Sequence, residues 1–387
     1  TFMQFSDGVN FLADGIGREI FEGLCADGGR GSEEGDDTIV WITTRVEVLK
    51  RLYDSLITQS GVQFSFHTQV VGIEKSSDSR VTHTICSAKS GLFAVEAGVF
   101  IDCTGDADLA ALAGAQCEKG DPEGNMMPGT LCSLWADVDW DAVHRDGRWA
   151  QSVLQSVIEA GGFPVPDKHL PGMARVGEHL GGGNIGHTFG VDGTDEVSLT
   201  EALITGRKLM LDYERFYKKH MTGYEKMELV MTGSLLGIRE SRRVTGDYVL
   251  CLDDFKTRAV FDDEIGRYCY PVDIHASKPD SAQFAAFEKE FESLRYGPGE
   301  SYGIPYRALI PQGLDNVLVA GRCISSDRYI QGSVRVMPGC FITGQAAGVA
   351  AALAAKRTDA NTRAISIEEL QGKLRDMGAY LPNFHAR

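Results

Sequence analysis

Two histidines, a cluster of arginines and nine cysteines are the side chains with which this sequence could do chemistry. His187 closes the run Asn184-Ile185-Gly186-His187, and His275 closes Tyr270-Pro271-Val272-Asp273-Ile274-His275. An imidazole titrates near neutrality, so either ring could take or give a proton at physiological pH. His187 is the first candidate for proton transfer and His275 the second. A lone histidine is more often a hydrogen-bonded core residue, and that reading stands beside the chemical one. Arg239, Arg242 and Arg243 crowd around Glu240 in Gly237-Ile238-Arg239-Glu240-Ser241-Arg242-Arg243. Guanidinium forks suit a carboxylate or another oxygen-rich substrate. Internal pairing with Glu240, Asp247 or Asp192 is the competing use and should absorb at least one of the three. The cysteines, at 25, 86, 103, 117, 132, 251, 269, 323 and 340, have no C-x-x-C spacing. They therefore indicate neither a zinc site, an iron–sulfur site nor a dithiol redox pair, and no metal ligand is assigned.

These residues need a scaffold, and the hydrophobic pattern supplies one. Val46, Leu49, Leu52, Tyr53, Leu56 and Ile57 share one helical face over 45–59, with Gly61 placed to end the helix. Strands are expected over about 62–74, 81–88 and 92–101, the first two turning at Ser76-Ser77-Asp78-Ser79. Ser198-Leu199-Thr200-Glu201 reads as a capping box ahead of a helix reaching about His220. Helices are also expected over 281–295, over about 340–355 after Pro338-Gly339, and from Ser366 onward. Residues 25–38 read as an exposed loop, with the acid run Glu33-Glu34-Gly35-Asp36-Asp37 solvated. Trp135, Trp140 and Trp149 read as core or domain-interface packing. The order is α/β, then a mixed insert, then α/β again.

The chain has 387 residues, enough for about two domains. It carries a net charge of −16, which argues against a nucleic-acid binder, since phosphate needs a basic face. No apolar run reaches the roughly 20 residues needed to span a bilayer. Scattered unpaired cysteines suit a reducing compartment, so a cytoplasmic location is the default expectation.

Two segments place glycine where a strand ends. Val99-Phe100-Ile101-Asp102-Cys103-Thr104-Gly105-Asp106 runs from an apolar strand into a turn and helix. Val319-Ala320-Gly321-Arg322-Cys323-Ile324-Ser325 does the same, and Gly332-Ser333-Val334-Arg335-Val336-Met337-Pro338-Gly339-Cys340 leads into a helix of small residues through Thr343-Gly344-Gln345-Ala346-Ala347-Gly348. Glycine lets the backbone approach a ligand closely, and ligands of α/β sheets bind at the carboxyl ends of strands. A plain strand–turn–helix would look the same to either segment alone. Together they resemble the FAD-dependent oxidoreductase family. Asn184–His187 with Asp192 and Thr194-Asp195, Thr232-Gly233-Ser234 with Gly237–Arg243, Tyr270–His275, and Tyr302-Gly303-Ile304-Pro305-Tyr306-Arg307 continue the resemblance in order along nearly the whole chain.

The resemblance implies a glutathione-reductase-type FAD-binding domain formed by residues 1–120 and 311–387, with a mixed α+β substrate domain inserted at 121–310. It implies FAD as cofactor. Cys103, Thr104 and Gly105 would pass near it, with Asp106 capping the next helix. Val70 or Val71 would contact the adenine side, and Gly321 and Arg322 the ribityl or pyrophosphate. Gly332, Ser333, Arg335 and Gly339 would flank the flavin ring, where N–H groups after Gly339 would stabilise charge. Arg335 could instead face substrate, and Arg307, Tyr306 and Tyr302 could rim the pocket. The implied activity is hydride transfer between flavin N5 and a small polar substrate, an organic acid or sugar-like polyol. The proton would pass through His187, with His275, Arg239 and Arg242 assisting. The partners are that substrate and an electron acceptor the sequence does not identify; no nucleic acid or membrane is expected, and a homo-oligomer is left open.

The family opens with a strand, G-x-G-x-x-G and a helix that seats the pyrophosphate. Asp14-Gly15-Ile16-Gly17 is not that segment, because no apolar strand precedes it. About 50 residues of a βαβ start are missing from the pattern. Three arrangements would account for this: an N-terminal part outside these residues, completion by another chain, or a remnant that does not bind FAD. The start at Thr1 favours the first. The alternative function is a partner-dependent subunit of the same fold without FAD of its own.

Overall fold

The structure, a computed structural model, describes residues 2–29, 42–279, 289–292 and 294–385. It is a mixed α/β fold with two large hydrophobic cores. The first gathers residues from both ends of the chain and from 244–310, including Met3, Leu24, Phe255, Tyr302, Leu318, Ala347 and Leu374. The second lies within 135–227, around Trp135, Leu154, Tyr213 and Tyr217.

At the centre of the first core, strand Phe100–Asp102 pairs in parallel with Val317–Val319, Ile101 opposite Leu318. Over 200 residues of chain separate these partners, so their parallel register is a tertiary product. The helix Met337–Ala354 packs on them with Ala346, Ala347 and Ala350 fully buried. Small side chains let the helix approach closely, and Pro338 fits its first turn, where an N–H would be unpaired anyway. This 18-residue helix is long and apolar enough to cross a membrane by length and composition, and 56% of it is buried inside the protein.

An antiparallel three-stranded meander precedes the pair: Gln69–Ser77, Arg80–Ala88 and Gly91–Glu96. The first strand starts later than its hydrophobicity suggests; residues 62–68 lie outside it. The strand expected over 92–101 divides at Ala97-Gly98-Val99, because the chain leaves the meander there and enters the parallel pair. Asn316, fully buried, ties the two together: its amide accepts from Val81 N and donates to the Val81 and Gly98 carbonyls.

The second core is covered by a four-stranded sheet in the order Gly172–Arg175, Gly181–Asn184, Ser133–Ala136, Glu228–Thr232. The glycine strand is needed here: a Cβ at Gly183 would lie 2.5 Å from Ser133 Oγ. The long helix Glu196–His220 packs Met210, Tyr213 and Tyr217 against this sheet. It begins earlier than the expected capping box. Asp195 is the cap, its carboxylate accepting from Ser198 N at 2.7 Å, and an acidic cap also suits the helix dipole. The helix Val46–Gln59 forms as expected, though it buries only Val48 and Leu49. Ser366 caps the last helix, accepting from Glu369 N. Most of the expected 25–38 loop, the acid run at 33–37 and most of the helix expected over 281–295 fall outside the described residues. Trp135 and Trp140 are buried, whereas Trp149 is 61% exposed.

Candidate active site

Two adjoining constellations hold nearly all the residues singled out by the sequence. The first is the carboxyl end of the parallel pair. Asp102, buried, accepts from Thr104 N, Thr104 Oγ1 and Ala110 N at 3.0, 2.7 and 2.9 Å, which fixes the turn that follows. Gly105 (φ +80°) and Gly321 (φ +81°) then take left-handed backbone side by side at the two strand ends. A Cβ on Gly105 would stand 2.8 Å from the Arg322 guanidinium carbon, so any larger residue must displace that side chain. Asp106 does not cap the following helix. Its carboxylate accepts from Arg322 at 2.6 Å and from Ser241 Oγ at 2.6 Å, and left-handed Ala107 takes the cap position. Arg242 also belongs here, donating to the Asp106 carbonyl at 3.0 Å and to Asp108 at 2.8 Å. Gly321 N donates to Thr343 Oγ1 on the small-residue helix. The cysteines of this region are free thiols: Cys103 exposed, Cys340 partly buried, Cys323 fully buried. Burial pushes the Cys340 thiol up to about 11, so it is a packing group at neutral pH.

The second constellation is made of imidazoles. His187 sits on the short strand His187–Thr188, held opposite Gly129–Thr130. His275 lies in the loop after strand Glu264–Tyr268, and Asp167 and His169 lie in the loop before Gly172. The rings form one packet. His169 stacks on His187 with centroids 5.2 Å apart and planes 4° apart, and meets His275 edge-on at 4.8 Å. His187 Nε2 and His275 Nδ1 are 3.1 Å apart. Two of the three rings have a carboxylate behind them: Asp167 Oδ2 lies 2.8 Å from His187 Nδ1, and Asp273 Oδ1 lies 3.3 Å from His275 Nε2. A small hollow opens over the packet, lined by Asp167, Lys168, His169, His187, Asp273 and His275 among others.

Electrostatics keep these rings neutral. Burial lowers the pKa of His187, against the pull of Asp167. Burial and the Arg239 charge take His275 well below its ordinary value, against Asp273. His169 is lowered to about 4 by burial and by His187. For Asp273, burial works to raise the pKa, but His275, Arg335 and Arg239 outweigh it and hold the carboxyl far below the usual range. The site therefore holds neutral imidazoles backed by carboxylates.

Asp273 joins the two constellations. Its Oδ2 accepts from Arg335 at 2.9 Å while Oδ1 faces His275. A Cβ on Gly332 would meet the Asp273 carbonyl at 3.0 Å, so the glycine admits this close approach. Ser333 is fully buried, exchanging a hydrogen bond with Tyr302 OH at 2.8 Å and donating to the Tyr270 carbonyl. Gly339 also faces inward, where a Cβ would collide with the Val334 carbonyl at 2.5 Å. Ser333, Tyr302 and Gly339 thus build the turn that presents Arg335.

The arginine cluster divides. Arg239 lies beside the imidazoles, donating to the Pro128 carbonyl at 2.9 Å and Thr130 Oγ1 at 2.7 Å; burial and Arg335 lower its pKa to about 10. Arg243 is taken up internally by Glu240 at 2.7 Å, and Glu240 also accepts from Arg328 and from Met127 N. Asp247 and Asp192 serve other cations, Arg363 and Lys119. Arg307 and Tyr306 lie away from the packet, Arg307 on Asp263 and Tyr306 OH on the Thr362 carbonyl. Val71, on the meander, is 49% exposed. The sequence reading missed Asp167 and His169. No motif surrounds them, and only the fold brings Asp167-Lys168-His169 against two histidines distant in the chain.

Comparison with known proteins gives the family. The profile described as FAD dependent oxidoreductase matches residues 1–374. The chain belongs to the FAD-dependent oxidoreductase family, whose cofactor is FAD. No curated protein matches it. Among solved structures it is similar to a p-nitrophenol 4-monooxygenase, PnpA from Pseudomonas putida DLL-E4, at TM-score 0.37 and 9% identity over 92% of this chain. It is also similar to CmlS, a flavin-dependent halogenase, at TM-score 0.38 and 11% identity over 89% of this chain. The chain spans 59% and 46% of the lengths of those two proteins.

The strand ends fit the family's cofactor on their own chemistry. Two left-handed glycines lie together, Arg322 Nε and Arg335 Nε are buried without hydrogen-bond partners, and the helix beginning at Met337 directs its free N–H groups to the same end. At Gly344 and Gly348 a Cβ would meet nothing within 4 Å, leaving that face of the helix open. Cationic donors and glycine-lined backbone are what a dinucleotide's phosphates and a flat ring require.

Proposed function

We propose that the chain is the flavin-binding and substrate-binding part of an oxidoreductase that acts on a small polar substrate, an organic acid or polyol. In this reading residues 1–120 and 311–387 form a glutathione-reductase-type FAD domain, and 121–310 the inserted substrate domain. One observation carries the reading: Asp273 holds Arg335, from the segment that would flank the flavin, and His275, from the imidazole packet, on its two oxygens.

Gly105, Gly321 and Arg322 would hold the cofactor's phosphates and ribityl chain, and Arg335 its ring edge. Bound there, FAD would accept or return a hydride at N5. Arg239, buried beside the packet, supplies the positive field that orients an anionic or hydroxylated substrate. His187 Nε2 takes the proton that the substrate gives up. Its Nδ1 faces Asp167, which favours the tautomer with the lone pair on Nε2 and stabilises the ring once charged. His275 receives or shares that proton across the 3.1 Å gap, with Asp273 behind it. Burial of both rings keeps bulk water from competing for the proton.

The test is anaerobic mixing of the purified, flavin-loaded protein with a panel of small hydroxy acids and polyols. The reading expects at least one to bleach the flavin, and His187→Gln to slow bleaching by about 100-fold, the usual scale of general-base catalysis. Bleaching that is unchanged in His187→Gln would overturn the assignment of the proton to this ring.

A further inference from the structure

We propose that His169, His187 and His275 form a three-nitrogen binding site for a first-row divalent cation such as Zn²⁺ or Co²⁺. One ring nitrogen from each lies within 4.8 Å of the others. The inference rests on the reading above only for its consequence for turnover; the site itself stands on geometry.

Three observations point to a cation rather than to packing. The first is the facing pair. Asp167 Oδ2 behind His187 Nδ1 and Asp273 Oδ1 behind His275 Nε2 favour the tautomers whose lone pairs face each other across 3.1 Å. Two acceptors at that distance repel unless something positive lies between them. Tetrahedral zinc with bonds of about 2.05 Å sets its ligand nitrogens about 3.3 Å apart, close to the spacing already present.

The second is Asp167. It is 7% exposed, with Oδ2 2.8 Å from His187 Nδ1 and Oδ1 accepting from His169 N at 3.0 Å. Both contacts lie within the packet, so this carboxylate directly backs the proposed ligands. A cation on His187 Nε2 would polarise the ring and compensate Asp167 through it. Carboxylate–histidine–metal chains of this kind orient metal ligands and raise their basicity. Asp273 would form the second such chain through His275.

The third is the donor set and its opening. Three imidazoles suit Zn²⁺, Co²⁺, Ni²⁺ or Cu²⁺ and not Mg²⁺ or Ca²⁺, which prefer oxygen. The hollow over the rings leaves a fourth position for water or substrate. His169, the least buried of the three, would move inward by on the order of 1 Å to complete the site. Arg239, Lys168 and Lys278 are the nearby cations that oppose binding. Lys168 is already paired with Glu159 at 2.7 Å, and Asp167 and Asp273 supply two opposing charges. A cation on His187 Nε2 and a proton there exclude each other, so the loaded protein should be slow in proton transfer.

The experiment is titration of the whole purified protein, stripped with a chelator, with Co²⁺ alone and then Zn²⁺, without substrate. The expected result is about one equivalent of Co²⁺ with visible bands of a low-coordinate nitrogen site, displaced by Zn²⁺. His169→Gln and Asp167→Asn should each weaken binding roughly 10- to 100-fold, as outer-shell and ligand losses do, while His179→Gln on the surface leaves it unchanged. Where turnover is measurable, Zn²⁺ should lower it at least about tenfold. Binding of less than about a tenth of an equivalent, equal affinity in His169→Gln and Asp167→Asn, or full turnover with Zn²⁺ bound would overturn the proposal. Metal binding without any flavin reduction by the hydroxy acids and polyols would keep the site and remove the proposed substrate reading, so the two can fail separately.

Discussion

The strand ends and the imidazole packet share Asp273, yet they are built by opposite means. The strand ends are made of backbone: left-handed glycines, a helix terminus, and charges such as Asp106 and Arg322 that are paired and still partly exposed. The packet is made of side chains: buried rings held neutral, with carboxylates behind them. Backbone sites tolerate side-chain exchange but not added bulk. Buried side-chain sites tolerate small changes in volume but not the loss of a partner. In the proposed reading the strand ends seat a large cofactor and the packet handles a proton.

That contrast can be broken by substitution. The largest effect is expected at Glu240, which lies on the buried side with its side chain fully enclosed and pairs with Arg243 and Arg328. Glu240→Ala leaves two buried guanidinium groups poorly compensated and should cost about 3–5 kcal/mol of stability, read by urea denaturation. The exposed pair Lys50–Glu47 is the counter-test: Lys50→Ala should stay within about 0.5 kcal/mol. Equal losses would erase the distinction between buried and open charge.

Asp167→Asn comes next. The side chain keeps its size, so the flavin spectrum should be unchanged, while turnover with the best substrate falls at least about 10-fold because His187 loses the charge that orients it. Gly105→Ala should do the reverse. A methyl group must displace Arg322 and adopt a positive φ, so FAD affinity should fall roughly 10-fold with about 1 kcal/mol of stability, and the proton-transfer step of the remaining holoprotein should be unaltered. The smallest effect concerns thiols. With its pKa pushed up to about 11 by burial, Cys340 is protonated at pH 8 and should alkylate far more slowly than exposed Cys25. Protection should be lost on unfolding; rapid labelling of Cys340 in the native state would contradict the packing described.

The strand ends were legible in the sequence because their signal is contiguous. Gly105 and Gly321 each follow an apolar strand directly, and the helix after Pro338 announces itself by its small residues. The packet was legible only in part. His187 and His275 stand in recognisable runs, but their meeting depends on tertiary structure, and Asp167 and His169 carry no local pattern at all. The partner of Arg242 was hidden for the same reason: its neighbours in sequence are Arg239 and Glu240, but it donates to Asp108 at the end of the parallel pair. The cap was read three residues late, at Ser198, where Asp195 holds the position. Asp106 looked like a cap and instead anchors Arg322. For Arg242 and Asp106 a charged group found a distant partner that sequence spacing does not encode.

The most direct measurement is the visible absorbance spectrum of the purified protein, with its intact mass, before and after incubation with FAD. Flavin bands that remain on gel filtration and weaken in Gly105→Ala are the predicted result. A colourless protein that does not retain added FAD would contradict the account at its centre, since the strand ends would then hold no cofactor for the imidazole packet to serve.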